Sequence, residues 1–151
     1  MKQQTLILVK PDGVQRGLIG QIIGRIEQKG LQVAAAKLIQ LDQNIAEKHY
    51  GEHMGKPFFT GLVNFITSSP IMAMVIEGVN AIEVMRTTMG STNPIEAAPG
   101  TIRGDYGLSI GLNLIHGSDS VDSAKREIAL FFSKSEIIDY SRDVDKWITE
   151  S

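Results

Sequence analysis

Four apolar residues, Leu6-Ile7-Leu8-Val9, run without interruption into Lys10-Pro11-Asp12-Gly13. An apolar run of this kind, halted by a Pro-Asp-Gly turn signal, predicts a central strand buried on both faces. Leu18, Ile19, Ile22, Ile23 and Ile26 then recur at the spacing of one helical face, and Gly30 supplies the stop. Leu31, Val33, Ala35, Ile39 and Leu41 fall on alternate positions and predict a second strand, which the polar Lys37 places near an edge or interface. Asp42 is the expected cap of a helix that starts near Asn44 and carries His49 and Tyr50. Positions 51–57 break it, and another helix is expected over 58–67. Ile71-Met72-Ala73-Met74-Val75-Ile76 predicts a further buried strand, and positions 80–89 a helix ended by Gly90. Roughly 20 residues follow with Asn93-Pro94, Pro99-Gly100, Gly104, Gly107 and Gly111; so long a loop in a compact domain usually carries function. Leu114-Ile115-His116 reads as a short last strand, and Ser120 or Asp119 caps a helix over 121–132.

The order of elements is best met by an α+β, ferredoxin-like βαββαβ sandwich with added helices and the long loop. A flavodoxin-like parallel sheet is the main rival. No repeat, linker or low-complexity segment divides the chain, so residues 1–151 are expected to form one domain. Charge adds a constraint. The formal net charge is −2 and aromatics make up 6%, which argues against a basic, aromatic-faced nucleic-acid binder. Any polyanionic ligand must therefore be met by a few placed cations. The chain has no cysteine, which excludes disulfides and thiolate metal sites and fits a reducing compartment. The first apolar run is too short for a signal-peptide core or a membrane span, so a cytoplasmic protein is expected.

Neither a G-x-x-x-x-G-K-[ST] loop nor a G-x-G-x-x-G turn occurs, so phosphates would have to be held by side chains. Lys10, Arg86 and Arg103 each sit at the edge of an element and are candidates, although each taken alone is more simply read as an ordinary solvated charge. Asn113-Leu114-Ile115-His116-Gly117-Ser118-Asp119-Ser120 is sharper. It ends an apolar strand on a histidine before a small-residue turn and a helix cap, with Gly117 allowing close approach. Neutral imidazole is a nucleophile near pH 7, provided a partner fixes its tautomer. Glu127, beside the stripe Val121, Ala124, Ile128 and Phe131, could reach back to it with help from Ser118. The spacing leaves a structural histidine and a solvated glutamate open. His49 and His53 lie four apart, but Gly51 interrupts them and the glutamate is misplaced for H-E-x-x-H, so a polar helix end is the simpler reading. Tyr50, Phe58 and Phe59 flank the helix break as core packing or as a base-stacking clamp.

With these segments assembled, the chain resembles the nucleoside diphosphate kinase family. The 113–120 segment is similar to that family's active-site stretch around its phosphorylated histidine. Residues 10–17, His49-Tyr50 with Lys56-Pro57-Phe58-Phe59, 90–94 and 99–105 resemble its first turn, helical hairpin and long loop. The resemblance implies a ping-pong transfer of a γ-phosphoryl group from a nucleoside triphosphate such as ATP or GTP to a nucleoside diphosphate through His116, with broad base specificity. It implies that Glu127 holds the histidine, that Ser118 supports Glu127, and that Lys10 serves both catalysis and phosphate binding. Tyr50, Arg86, Thr92, Arg103 and Asn113 would contact phosphates and sugar, and Phe58 would stack on the base with Ile110 beside it. Mg2+ would be held mainly by the phosphates, with no protein metal cluster. A homo-oligomer is implied, hexameric or alternatively tetrameric, with no membrane or nucleic-acid partner required. Leu112 and Met54 stand where some members carry arginine or another charged residue; both lie outside the chemistry. A phosphohistidine carrier acting on a protein partner would need no base-stacking residue.

Overall fold

The computed structural model describes residues 2–150. It places the Leu6–Val9 run at the centre of a four-stranded sheet. The strands are β1 (Lys2–Val9), β2 (Gln32–Ile39), β3 (Ile71–Val79) and β4 (Ile115–Gly117), in the order β2-β3-β1-β4. Every pairing is antiparallel, which is the ferredoxin-like arrangement and excludes the parallel rival. The helices are α1 (Pro11–Gln15), α2 (Ile19–Lys29), α3 (Gln43–His49), α4 (Phe59–Ile66), α5 (Ala81–Met89), α6 (Ile102–Tyr106) and α7 (Val121–Phe131). Among the described residues no helix is long and apolar enough to cross a membrane.

Both faces of the sheet are covered, so β1 reads as a continuous apolar run despite its antiparallel neighbours. Leu6 and Leu8 pack in one layer with Ala46 of α3, Val63 and Ile66 of α4, and Phe131 of α7. Ile7 and Val9 pack in the other with Ile22 and Ile26 of α2 and Ala81, Met85 and Met89 of α5. A buried aliphatic side chain contributes about 2 kcal/mol. A one-residue slip of β1 would exchange its two buried faces, so the register is strongly held.

Local signals end the elements much as their chemistry dictates. Asp42 accepts the Ile45 amide at 2.8 Å, and Ser120 accepts that of Ser123 at 3.1 Å. Gly30 closes α2 at φ +105°, a conformation that favours glycine. Three details differ from the periodicity. Alternation puts Leu31, Val33, Ala35, Ile39 and Leu41 on one face, but a bulge between Val33 and Ala35 turns the strand over. Leu31 and Val33 therefore pack with the α2–α5 layer, and Ala35, Ile39 and Leu41 with the α3–α4 layer. Lys37 does lie on an edge strand, paired with Glu136 at 3.0 Å. The turn after β1 winds into α1, with Pro11 at its first position where no N–H is needed. The long loop contains α6, capped by Thr101, which accepts the Gly104 amide at 3.0 Å.

Candidate active site

Pairing fixes where His116 points. It lies opposite Leu8, and opposed residues share a face, so the imidazole projects into the layer of α3 and α7. Glu127 meets it there: His116 Nε2 and Glu127 Oε1 are 2.7 Å apart. Glu127 does not flank the apolar stripe of α7 but lies within its buried face, with Ala124 and Phe131. Ser118 Oγ accepts the Leu6 amide at 3.2 Å and donates to Glu127 Oε1 at 2.9 Å. Burial disfavours the carboxylate charge, but the contacts with His116 and Ser118 outweigh it and hold Glu127 below its ordinary value.

The strand reaches this position through a strained turn. Ile115 N–H donates to Asn113 O at 2.8 Å across Leu114, whose φ is +75°. Such γ-turns are rare for a branched side chain and persist only where packing holds them. Leu114 is fully buried, its amide donates to Asp12 Oδ2 at 3.0 Å, and its carbonyl accepts from Lys10 N at 2.9 Å. Gly117 serves the core: a Cβ there would come within 2.6 Å of Met89 Sδ. Its carbonyl accepts from Arg86 Nη1 at 3.2 Å.

A cation-bearing wall adjoins the histidine. Lys10 Nζ donates to Asn113 Oδ1 at 2.8 Å, and Asn113 Nδ2 donates to Thr92 O at 3.0 Å. Arg103 donates to three carbonyls: Asn113 at 3.1 Å, Gly90 at 3.1 Å and Ile115 at 2.6 Å. A guanidinium has five N–H donors, so Arg103 still has some to offer an anion. Burial, then Arg103, pulls the Lys10 ammonium down to about 8, with Asp12 opposing. Burial, then Arg86, pulls Arg103 down to about 10, which leaves it charged at neutral pH. An anion in this region would relieve the mutual repulsion of these positive groups.

His116 and Glu127 line a cavity of about 190 Å³ together with Tyr50, His53, Arg86 and Asp119. An open depression beside it is bordered by Arg86, Gly90 and Thr92. Burial pushes the Tyr50 hydroxyl up to about 12, helped by Glu127. Phe58 stands at the N-terminus of α4, 51% exposed, its ring 5.2 Å from that of His53. Ile110 is 61% exposed on the turn closed by Ser109 and Leu112. Phe58 and Ile110 are thus exposed, and neither lines the cavity or joins the hydrogen-bonded set.

Sequence spacing misses His49. It is not paired with His53 but buried against the nucleophile candidate, ring centroids 4.7 Å apart at 84°, with Phe131 at 5.4 Å. Burial, then His116, lowers its pKa to about 3 and keeps it neutral. Asp12, which ties Leu114, is likewise invisible to periodicity; only its place in the turn after β1 hinted at a role.

The chain is similar to known proteins over nearly its whole length. The sequence model of the family described as Nucleoside diphosphate kinase matches residues 3–137. A nucleoside diphosphate kinase of Desulforamulus reducens is 58% identical over 148 residues, covering 98% of this chain and 99% of that protein. One of Archaeoglobus fulgidus is 57% identical, covering 98% of each. A solved halophilic nucleoside diphosphate kinase from Halobacterium salinarum, in complex with CDP, superimposes with a TM-score of 0.96 at 53% identity, covering 99% of this chain and 100% of that one.

Proposed function

The chain belongs to the nucleoside diphosphate kinase family, and we propose that it carries out that family's phosphoryl transfer in two halves, with the group resting on His116 between them. It is a phosphotransferase acting on nucleotides. The observation that carries the two-step reading is the 2.7 Å contact of His116 Nε2 with Glu127 Oε1. With its proton on Nε2 and donated to Glu127, the imidazole has its lone pair on Nδ1. That lone pair attacks the γ-phosphorus of a nucleoside triphosphate. The new N–P bond forms as the bond to the β,γ-bridging oxygen breaks, and its electron pair leaves on the nucleoside diphosphate. The imidazole becomes cationic, and the charged Glu127 stabilises it. A second diphosphate then takes the phosphoryl group by the reverse step.

Lys10, Arg86 and Arg103 meet the charge on the transferring group, and Thr92, Asn113 and Tyr50 position phosphates and sugar. Phosphoryl transfer asks mainly for such positioning and charge. Phe58 stacks on the base and Ile110 covers the same slot. Because neither side chain reads base edges, many bases are accepted; the CDP bound to the Halobacterium relative is consistent with a pyrimidine in such a slot.

Mg2+ fits as an ion carried by the nucleotide. The only group of three potential ligands among the described residues is His49, His116 and Glu127, a nitrogen-rich set unlike the oxygen shell magnesium prefers. Besides Glu127, the carboxylates on the cavity wall are Glu52 and Asp119, which offer oxygen acceptors to the water shell of such an ion. Bound, the ion supplies neutralising charge on the phosphates.

The chain works as a single domain, in the cytoplasm, within a homo-oligomer that we read as a hexamer, with a tetramer the alternative. Exposed Ile95, Leu108 and Leu112 in the long loop support subunit contacts there. Incubation with γ-labelled ATP and magnesium tests the central step. An acid-labile, alkali-stable label, absent from His116→Ala and discharged by GDP or CDP, is expected. Folded protein that takes no label would refute it.

A further inference from the structure

Three donor side chains, the proposed nucleophile among them, converge from three elements. His49 of α3, His116 of β4 and Glu127 of α7 each offer a ligand atom, and these atoms lie within 4.8 Å of one another. His49 is only 4% exposed, and its Nδ1 has no hydrogen-bond partner among the described residues. Buried polar atoms are nearly always satisfied, so an orphaned imidazole nitrogen in a cluster of potential ligands needs a reason. Two imidazoles and a carboxylate form a donor set suited to zinc-class ions, with water completing four-coordination. Metal–ligand distances of about 2.0–2.2 Å put neighbouring ligand atoms roughly 3.3 Å apart, so side-chain shifts of about 1–1.5 Å would close the site.

We propose that, when no nucleotide is bound, His49, His116 and Glu127 take up a zinc-class divalent ion, and that this ion switches His116 off. The ion takes Nε2 of His116 and Oε1 of Glu127, the two atoms that lie 2.7 Å apart and, on the phosphohistidine reading, share one proton. The neutral imidazole keeps one proton, which moves from Nε2 to Nδ1. The lone pair needed to attack phosphorus is then gone, and His116 is pinned while the ion stays. Magnesium does not reproduce this, because it favours oxygen ligands and loses water reluctantly. Arg126 opposes the ion, its guanidinium 3.6 Å from Glu127 Oε2, but it is half-exposed and free to turn to solvent. The binding stands on the cluster alone; the switching rests on the phosphohistidine reading.

Calorimetric titration of the full, nucleotide-free chain with zinc chloride tests the binding. One site per chain with a Kd below about 100 μM is expected, weakened at least about 10-fold by His49→Gln and by Glu127→Gln but unaltered by His53→Gln. Cobalt(II) should give the visible absorption of a four-coordinate site in the wild type and lose it in His49→Gln. No site, or a site insensitive to His49→Gln, or one lost in His53→Gln, overturns the proposal. Zinc added before γ-labelled ATP should block labelling with the midpoint seen by calorimetry, and excess magnesium should not. Full labelling at saturating zinc overturns the switch. A chain that takes no label even without zinc refutes the phosphohistidine step instead, while calorimetry still decides the metal site.

Discussion

Ser118 Oγ accepts the Leu6 amide and gives its one hydroxyl hydrogen to Glu127. The carboxylate proposed to hold His116 is thereby tied to the backbone of the central strand. Ser118→Ala should cost about 1–3 kcal/mol, since it strands a buried amide and removes one donor to the carboxylate. Denaturant midpoints check the stability. The rate of His116 labelling should fall too, with nucleotide affinity nearly unchanged.

Glu127→Gln keeps the shape of the dyad and removes its charge. Loss of a preorganised charge of this kind typically costs about 10²-fold. The single-turnover rate of histidine phosphorylation should drop by that order, while the dissociation constant for a nucleoside diphosphate moves little. Unchanged turnover would remove Glu127 from the chemistry.

Lys10 gives a pH dependence with a definite sign. Its folded-state pKa is lowered from 10.5 to about 8, chiefly by burial, so between those values the unfolded chain binds more protons. Stability contributed by this group therefore rises with pH across that window. Chemical denaturation at pH 7.5 and pH 10, wild type against Lys10→Met, should show a rise in the wild type that the variant lacks. An identical pH response in the two proteins would show that the ammonium is not held in a desolvated site.

Phe58→Ala removes a stacking surface and no base-edge contact. Stacking is worth about 1–3 kcal/mol per base, so KM should rise roughly 10-fold for purine and pyrimidine diphosphates alike. A loss confined to one base would mean that Phe58 selects and does not merely stack.

The subunit number is checked by light scattering coupled to gel filtration. A mass near six chains is expected, and Leu108→Asp, at an 81% exposed apolar position, should shift it downward. A monomeric wild type would contradict the interface assigned to the long loop.

Much of the sheet was legible because its signals are local. The unbroken Leu6–Val9 run could only be a strand covered on both faces, and Asp42, Gly30 and Ser120 mark helix ends by their own chemistry. The bulge at Val33 and Ala35 was not legible, since the alternation that identifies a strand says nothing of a mid-strand reversal. The Thr101 cap was hidden by the glycines and prolines around it, which read as loop. At the site, helical spacing brought Glu127 close to the right face, but only tertiary packing puts it inside that face. No periodicity sets His49 of α3 against His116, 67 positions later, because the approach depends on how α3 lies across the sheet.

Arg103 binds the long loop to β4 through the carbonyls of Gly90, Asn113 and Ile115, and the same guanidinium is among the cations proposed to meet the phosphates. On that reading one residue holds the architecture and the substrate charge together. Substitutions that would adjust affinity there also release the loop, so descendants of this sequence have little freedom to explore new substrates at that position. Divergence is channelled to positions such as Phe58 and Ile110, which are exposed and can change without loosening the frame. On the proposed binding mode, the enzyme's capacity to innovate is concentrated around the base, and its handling of the phosphates is conservative by construction.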